Sequence, residues 1–453
     1  MEQKNEIRIS QCMIVKNEEK NIKRALSWGK EIMSEQIVVD TGSTDRTVEI
    51  AKEMGAQVYY FEWINDFAAA KNYAIEKATG QWIAFLDADE YMTKEDAETI
   101  KEHILEYMAE DMGENQPNAI TCKLVDLDGE NKVFNIASQN RFFKNNGIRY
   151  KGKVHEAISK AGGLYIKELD DVKIFHTGYQ KDAIISQKKG KRNVELIENE
   201  LKENPDSFLM KSYLVDSLLL YITEAKNSGD TNLAKELKDK TDKLALECME
   251  NLNKDWDYQR KTALAKVYFV NVLSGEDKDI EEKMAWGYEE CQKVMPENGD
   301  IEYFIGTRYY NMKNYDNTVV YFERALRKLK KAGIDDVYNN GHLKTSLDTV
   351  YFILAIIYLN ENILSQALKY LVLAIQMDKF NVEKVMILIQ VVKEMNGAQL
   401  ESELDGIFQK IYDDTKTKDK VFVYSLAKKL GMVTIEKNIE KKFTKIDREI
   451  AGI

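Results

Sequence analysis

Through the first 180 residues, short apolar runs alternate with amphipathic stretches. RISQCMIV (8–15), QIVVD (36–40), QVYYF (57–61) and WIAFL (82–86) are short, mostly apolar runs and read as strands. A strand apolar on both faces belongs inside a sheet covered on both sides, where no solvent face calls for polar residues. Between them, NEEKNIKRAL (17–26) begins a helix with acidic residues in its first turn. TGSTDRTVEIAKEMG (41–55) forms the next, and a third starts near Asp66. In the second, Gly42 permits a tight turn, Ser43 or Thr44 caps, and Asp45 complements the positive helix end. Strand and helix alternating at this spacing predict an α/β domain with a mostly parallel sheet and right-handed crossovers.

Beyond residue 180 nearly everything has helical spacing, rich in Leu, Tyr, Lys and Glu, so the expected division is an α/β domain over 1–180 and an all-α domain over 181–453. The boundary lies near a helix opening around Lys181. Within the second part Gly306, Tyr309, Thr318, Phe322 and Ala325 match Ala355, Tyr358, Ala367, Leu371 and Ala374, each 49 positions on. Small, aromatic, small, large, small at that spacing resembles a tetratricopeptide repeat of about 34 residues, where close helix approach needs a small side chain beside a large one. The excess fits a lysine-rich insertion from Lys328 to Gly341. An earlier unit carries Met284, Tyr288 and Cys291 one period before Thr318, Phe322 and Ala325, with Leu264, Ala265 and Tyr268 on its first helix. Pro296 falls where a repeat ends. Residues 206–252 and 383–450 are helical but match poorly. The expectation is a solenoid of degenerate repeats, whose concave surface suits a peptide or protein; bracing of the first domain or a homodimer through the helices are the alternatives.

At 453 residues the chain is too long for one core. A net charge of −11 argues against a general nucleic-acid or anionic-membrane binder. Cys12, Cys122, Cys248 and Cys291 are scattered with no Cys-x-x-Cys pair, as expected of buried free thiols in a reducing compartment. The start, MEQKNEIRIS, has no apolar signal-like run and no later stretch suits a bilayer span. A soluble cytoplasmic protein without a membrane anchor is expected.

The chemistry gathers where strands end. WIAFLDADE (82–90) drives a buried strand into Asp87, Asp89 and a glutamate. Open α/β sheets bind ligands at the carboxyl ends of their strands, and carboxylates clustered there repel unless a cation or ligand compensates them. Asp-x-Asp suits a divalent ion that already carries phosphate oxygens; the plain alternative is a polar turn capping the next helix. Two more strands deliver Asn17 with Glu18, and Asp40, to the same edge. Singly, Asp40 is an ordinary strand-end aspartate and Asn17 an ordinary helix cap. Together they point to a site.

VKNE (15–18), VDTGSTDRT (39–47), WINDFAAAKN (63–72) and DADE (87–90) in this order resemble a family 2 glycosyltransferase of the GT-A fold. The resemblance implies a nucleotide-sugar donor and a divalent metal, Mn²⁺ or Mg²⁺. It assigns Asn17 and Glu18 to the nucleoside pocket, Asp40 to the base edge, Ser43 to the same donor-binding loop, Asp87 to the ribose side and Asp89 to the metal. Where relatives commonly have Arg-Asn, this chain has Lys71-Asn72; lysine keeps the charge at the diphosphate but loses the bidentate fork.

KGKVHE (151–156) followed by IFHTGY (174–179) is similar to a subgroup that joins this catalytic domain to helical repeats and includes sublancin-type peptide S-glycosyltransferases. An inverting transfer needs a base opposite the leaving group. Glu156 is the expected base, with a surface carboxylate as the alternative; His155 is the other candidate base or a diphosphate contact. His176 is expected as a further metal ligand, against a core histidine bonded to backbone. Arg141 faces the diphosphate or supports the acceptor loop. His103 reads as a solvated helix residue and His342 as a loop residue.

The expected activity is therefore an inverting, metal-dependent transfer from a nucleotide-sugar, UDP-linked by preference, to a Cys, Ser or Thr side chain of a peptide or protein. A thiol with a pKa of about 8.5 demands less base catalysis than a hydroxyl. The alternatives are a glycan or lipid-linked acceptor, or a repeat scaffold whose sheet domain has lost catalysis. A phosphotransferase using Asp-x-Asp as nucleophile needs the motif after its first strand, whereas here it follows the fourth.

Overall fold

The structure, a computed structural model, describes residues 7–109, 116–177, 189–253, 256, 258–273, 279–332 and 341–453. The chain divides into two compact units, Met1–Pro296 and Glu297–Ile453.

The first unit is built on the strands β1 (Ile9–Val15), β2 (Glu35–Asp40), β3 (Gln57–Tyr60), β4 (Trp82–Phe85), β5 (Glu90–Tyr91), β6 (Ala119–Leu127), β7 (Val133–Lys144), β8 (Arg149–Lys151), β9 (Ala157–Ser159) and β10 (Ile166–His176). Eight of them form one sheet in the order β3-β2-β1-β4-β7-β6-β10-β5; β8 and β9 pair separately. The run β3-β2-β1-β4 is parallel, as is β6 with β10, while β7 and β5 join antiparallel. Helices α1 (Ile22–Ser27), α2 (Thr47–Glu53), α3 (Phe67–Lys77) and α4 (Lys94–Ala109) are the crossovers.

The continuous apolar reading of β4 has its reason in the packing. Trp82 and Ala84 enter one core with Ile100, Ile104 and Phe142, whereas Ile83 and Phe85 enter another with Ala74, Ile75 and Phe143. β1 and β2 thus finish together, Val15 beside Asp40, while Phe85 at the end of β4 lies beside Cys12.

One helix starts later than expected. α1 begins at Ile22, with Asn21 as its cap residue and no acid in its first turn. Asn17 is not the cap: it adopts a left-handed φ of 58°, and its neighbours turn toward the loop before α2. The helix expected around Lys181 lies outside the described residues. From Lys189 the unit is helical: α5 (Lys189–Glu203), α6 (Phe208–Asn227), α7 (Thr231–Glu250), α8 (Tyr258–Lys266), a π-helical turn Val267–Val272, and α9 (Ile280–Val294). The compact units therefore part at Pro296, where the early repeat ends, rather than where the strands stop.

In the second unit α10 (Gly299–Asn311) and α11 (Tyr315–Ala332) form one helical pair, and α13 (Leu347–Asn360) and α14 (Leu364–Met377) the next, with the short α12 (Gly341–Thr345) before it. Gly306 shows why the repeat needs a small residue: a Cβ there would lie 2.4 Å from Phe322 Cδ1. Helices α15 (Val382–Asn396), α16 (Leu400–Ile411), α17 (Thr417–Leu430), α18 (Val433–Glu440) and α19 (Lys445–Ala451) complete it. The first residues of the expected insertion, 328–332, prolong α11.

Two histidine expectations are corrected. His342 is in α12, where its backbone N–H donates to Asp300 Oδ2 at 3.2 Å. His103 is half-buried rather than solvated, because Asp171 at 2.9 Å draws it against β10. All four cysteines are buried. Among the described residues no helix is long and apolar enough to cross a membrane.

Candidate functional site

A cavity of about 470 Å³ opens beyond the ends of β1, β2 and β4. Eight of the expected side chains line it: Glu18, Lys71, Asp87, Asp89, Arg141, His155, Glu156 and His176.

Lys71, on α3, is the hinge of the arrangement. Its Nζ lies 2.7 Å from Glu156 Oε1 and 3.4 Å from Asp87 Oδ1, with the rings of Phe85 and Tyr150 at 5.1 and 5.0 Å. Burial favours the neutral amine, but Asp87 and Glu156 outweigh it and hold Lys71 above its ordinary value. A bidentate fork is thus replaced by a point charge shared between two carboxylates. The neighbouring Asn72 brackets the backbone of Tyr150, donating to its carbonyl at 2.9 Å and accepting from its N–H at 2.8 Å, which fixes β8 to α3.

Arg141 takes the other side of Asp87, with Nη2 at 2.8 Å, and also bonds Glu90. Burial raises Asp87, yet Lys71 and Arg141 bring it well below the usual carboxylate range. Glu90 goes the other way: burial, opposed by Arg141 but reinforced by Asp87 and Asp89, pushes it up to about 7. A Glu90 carboxylate oxygen accepts from the Asp87 N–H at 3.1 Å. It shapes the turn.

Asp89 is held by the end of β10, where the Thr177 N–H and hydroxyl both donate to its carbonyl at 3.1 Å. Its Oδ2 lies 3.4 Å from His176 Nε2, while His176 Nδ1 lies 2.7 Å from Asp126 Oδ1. Burial disfavours the imidazolium, but Asp126 and Asp89 carry it up to about 10. Among the described residues no three His, Cys, Asp or Glu side chains converge as a metal cage. A pair does: one carboxylate oxygen and one imidazole nitrogen, with a carboxylate orienting the far ring nitrogen. That donor set would fit a hard divalent ion once His176 has given up its Nε2 proton.

Asn17, Asp40 and Ser43 do not line the cavity; they bind one another's loops. Asp40 accepts from the N–H groups of Gly42 and Ser43 at about 3.1 Å, Ser43 Oγ accepts from Asn17 N–H at 2.9 Å, and Asn17 Oδ1 accepts from Thr44 N–H at 2.7 Å. Gly42, at φ 106°, makes the turn possible. Glu18 is stabilised by Thr47 Oγ1 accepting from its N–H at 2.7 Å, and burial raises its pKa.

His155 and Glu156 part company. His155 has a left-handed φ of 51° and stacks on Tyr213 of α6, with centroids 3.8 Å apart. The residue keeps an exposed edge, yet crowding by protein, then the Arg260 guanidinium, draws its imidazole down to about 4. Glu156 faces Lys71.

Sequence reasoning missed several partners. Asp126, buried between Val125 and Leu127 near the end of β6, orients His176; an acid set between apolar residues was the available signal. Lys189, Arg192 and Asn193 enter the cavity from α5, and their signal was a basic run, 189–192, in an acidic chain. Glu224 fastens that helix start by accepting from the N–H groups of Gly190 and Lys191 at 2.7 and 3.1 Å. Trp63 and Phe67 supply the apolar wall.

Residues 10–171 match the family described as glycosyl transferase family 2. The chain is 33% identical over 201 residues to the SPbeta prophage-derived glycosyltransferase SunS of Bacillus subtilis, covering 43% of this chain and 45% of SunS. It is 30% identical over 215 residues to a TPR repeat-containing protein of Synechococcus elongatus, covering 46% and 51%. The chain thus spans about half the length of these curated relatives. S. aureus TarS 1-349 in complex with UDP-GlcNAc aligns at a TM-score of 0.34 and 15% identity, over 64% of this chain and 90% of that one.

Proposed function

We propose that this chain, whose residues 10–171 carry a family 2 glycosyltransferase domain, transfers a sugar from a nucleotide-sugar, UDP-linked by preference, to a Cys, Ser or Thr side chain of a peptide or protein with inversion. Residues 1–180 supply most of the donor chemistry, and the helical region 181–453 holds part of the acceptor. The observation that carries this reading is one cavity holding both the Asp89–His176 pair and the bridge Glu156–Lys71–Asp87.

The division of labour follows from the side chains. Asp89 and His176 hold the divalent ion, which when bound neutralises charge on the departing diphosphate. Asp87, kept anionic by Lys71 and Arg141, accepts from the ribose hydroxyls. Lys189 and Arg192 add positive charge on the far wall, where five Lys and Arg side chains (Lys16, Lys71, Arg141, Lys189, Arg192) face four carboxylates (Glu18, Asp87, Asp89, Glu156). That balance suits an anionic donor although the chain as a whole is acidic. The loops around Asn17, Asp40 and Ser43 shape the nucleoside end: Lys16, Glu18 and Thr41 line the cavity there, and the three side chains themselves stand behind it.

In the transfer, the acceptor S–H or O–H attacks the anomeric carbon, the bond from that carbon to the diphosphate oxygen breaks, and the acceptor proton passes to Glu156. Lys71 at 2.7 Å keeps that carboxylate oriented. His155, drawn down to about 4 and stacked on Tyr213, is a weak base, so it serves as support rather than as the base. Peptide acceptors are favoured by the resemblance of KGKVHE (151–156) and IFHTGY (174–179) to the sublancin-type peptide S-glycosyltransferase subgroup. Four scattered, buried cysteines suit a reducing cytoplasm.

The test is a transfer assay. The protein is incubated with Mn²⁺, UDP-sugars and peptides bearing single Cys, Ser or Thr residues, with peptide mass gain and UDP release as readouts. One hexosyl or N-acetylhexosaminyl addition, abolished in Glu156→Gln, is expected. UDP release without peptide modification would remove the peptide acceptor, and undiminished transfer in Glu156→Gln would remove the assigned base.

A further inference from the structure

The His155–Glu156 loop is held by α3 and by helices from beyond the strand region. Phe67 N–H donates to the Lys153 carbonyl at 2.9 Å. Val154 is buried in a cluster with Val194, Leu214 and Leu218 of α5 and α6. Tyr213 lies on His155 at 3.8 Å and an interplanar angle of 11°, and the Arg260 guanidinium lies over the Tyr213 ring at 4.9 Å, anchored by Asp216 at 2.6 Å. Glu156, the next residue, turns to Lys71.

Two features of this stack need a cause. Parallel rings this close are less favourable than offset or edge-on pairs, and a non-glycine residue at φ 51° persists only when its surroundings over-determine it. The left-handed turn is what allows Val154 and His155 to engage the helices while Glu156 enters the cavity. Relaxing His155 to an ordinary φ would swing Glu156 away from Lys71.

We propose that Tyr213, backed by Arg260, is a positioning residue for the transfer. It holds His155 in its left-handed conformation and thereby aims Glu156 at the acceptor. The inference rests on the reading of Glu156 as base. It makes the helical region part of the catalytic apparatus: α6 and α8 set the geometry of a residue carried by the sheet domain.

The test compares wild type, Tyr213→Ala, Tyr213→Phe, Glu156→Gln and Tyr213→Ala with Glu156→Gln, using hydrolysis of UDP-glucose and UDP-GlcNAc with Mn²⁺ and water as acceptor. Misplacing a catalytic group by about 1 Å costs on the order of 100-fold in rate, so Tyr213→Ala is expected to lose about 100-fold in kcat with donor KM held. Tyr213→Phe, which keeps the ring, recovers most of the loss. In the double variant the two losses do not multiply, because both act through one carboxylate. Proton NMR of the histidine rings, assigned with His155→Gln, reads the stack itself: the upfield ring-current shift of His155 vanishes in Tyr213→Ala and persists in Tyr213→Phe. Full turnover in Tyr213→Ala, multiplied losses in the double variant, or an unmoved His155 resonance would overturn the inference while leaving the functional reading intact. A wild-type protein that neither binds nor turns over any UDP-sugar would overturn the functional reading, and this inference with it.

Discussion

Replacing Lys71 with methionine tests the core of the site because it removes the one cation that two carboxylates share. At 2.7 Å from Glu156 and an effective dielectric of about 20, the Coulomb attraction is about 6 kcal/mol before desolvation. The net effect of truncation is smaller. Removing one partner of a buried pair costs about 3–5 kcal/mol, chiefly by stranding the other charge. Here Lys71 and Glu156 expose only 5% and 14% of their side chains, so solvent relieves little of it, while Asp87 retains Arg141. For a unit of this size each kcal/mol moves the melting temperature by about 2 °C, so Lys71→Met is expected to melt roughly 6–10 °C below wild type. Tryptophan fluorescence is a suitable assay, since all five tryptophans, Trp28, Trp63, Trp82, Trp256 and Trp286, belong to the first unit. Adding Glu156→Gln removes the stranded charge, so the double variant should melt above Lys71→Met. If instead the two substitutions lower the melting temperature additively, Lys71 does not pair with Glu156 and the account of the base is wrong.

Asp126→Asn keeps the hydrogen-bonding shape but weakens the hold on His176 Nδ1; orienting partners of metal-binding histidines are worth 10–100-fold in metal affinity, so calorimetry with Mn²⁺ and UDP should show a loss on the order of tenfold or more. His155 gives a pH signature: its folded value of about 4 lies below the ordinary 6.5, so between these values the unfolded chain binds more protons. Its contribution to stability is present above pH 6.5 and is lost as pH falls toward 4. Solvent at its exposed edge softens the effect; His155→Gln should flatten the melting-temperature profile in that window, and a profile unchanged by the substitution would refute the assignment. In the second unit, Gly306→Ala places a methyl against Phe322 and should cost about 1–3 kcal/mol by overpacking, read by thermal unfolding; Phe322→Leu in the same chain should restore part of it.

The parts of the molecule legible in the sequence are those where one physical cause dominates. WIAFL announced a strand packed on both faces, and Trp82 and Ile83 do go to opposite cores. Gly306 opposite Phe322 announced a close helix pair. Where several weak causes compete, the reading slipped: NEEK has good helix formers, but the N–H groups of residues 17 and 18 donate to Ser43 and Thr47, and Thr44 N–H donates to Asn17, which holds that stretch as a turn. His103 and His342 met partners, Asp171 and Asp300, 68 and 42 residues away. The acidic edge was visible as a list of residues. Its pairing was not, because Lys71 with Glu156, Asp126 with His176 and Tyr213 with His155 are joined only by the tertiary fold. Lys189 and Arg192 were overlooked because a basic run in a helical region ordinarily marks a solvated face.

The measurement that bears most directly on the central claim is the melting temperature of the first unit, by tryptophan fluorescence, against UDP-, GDP-, TDP- and CMP-sugars with and without Mn²⁺, in wild type and Asp89→Ala. A ligand at 100 times its dissociation constant stabilises by about 2.7 kcal/mol, or roughly 5 °C for a unit of this size. The account predicts such a shift with a UDP-sugar, dependent on Mn²⁺ and lost in Asp89→Ala. No shift with any donor, or a shift indifferent to both the metal and Asp89, would contradict it.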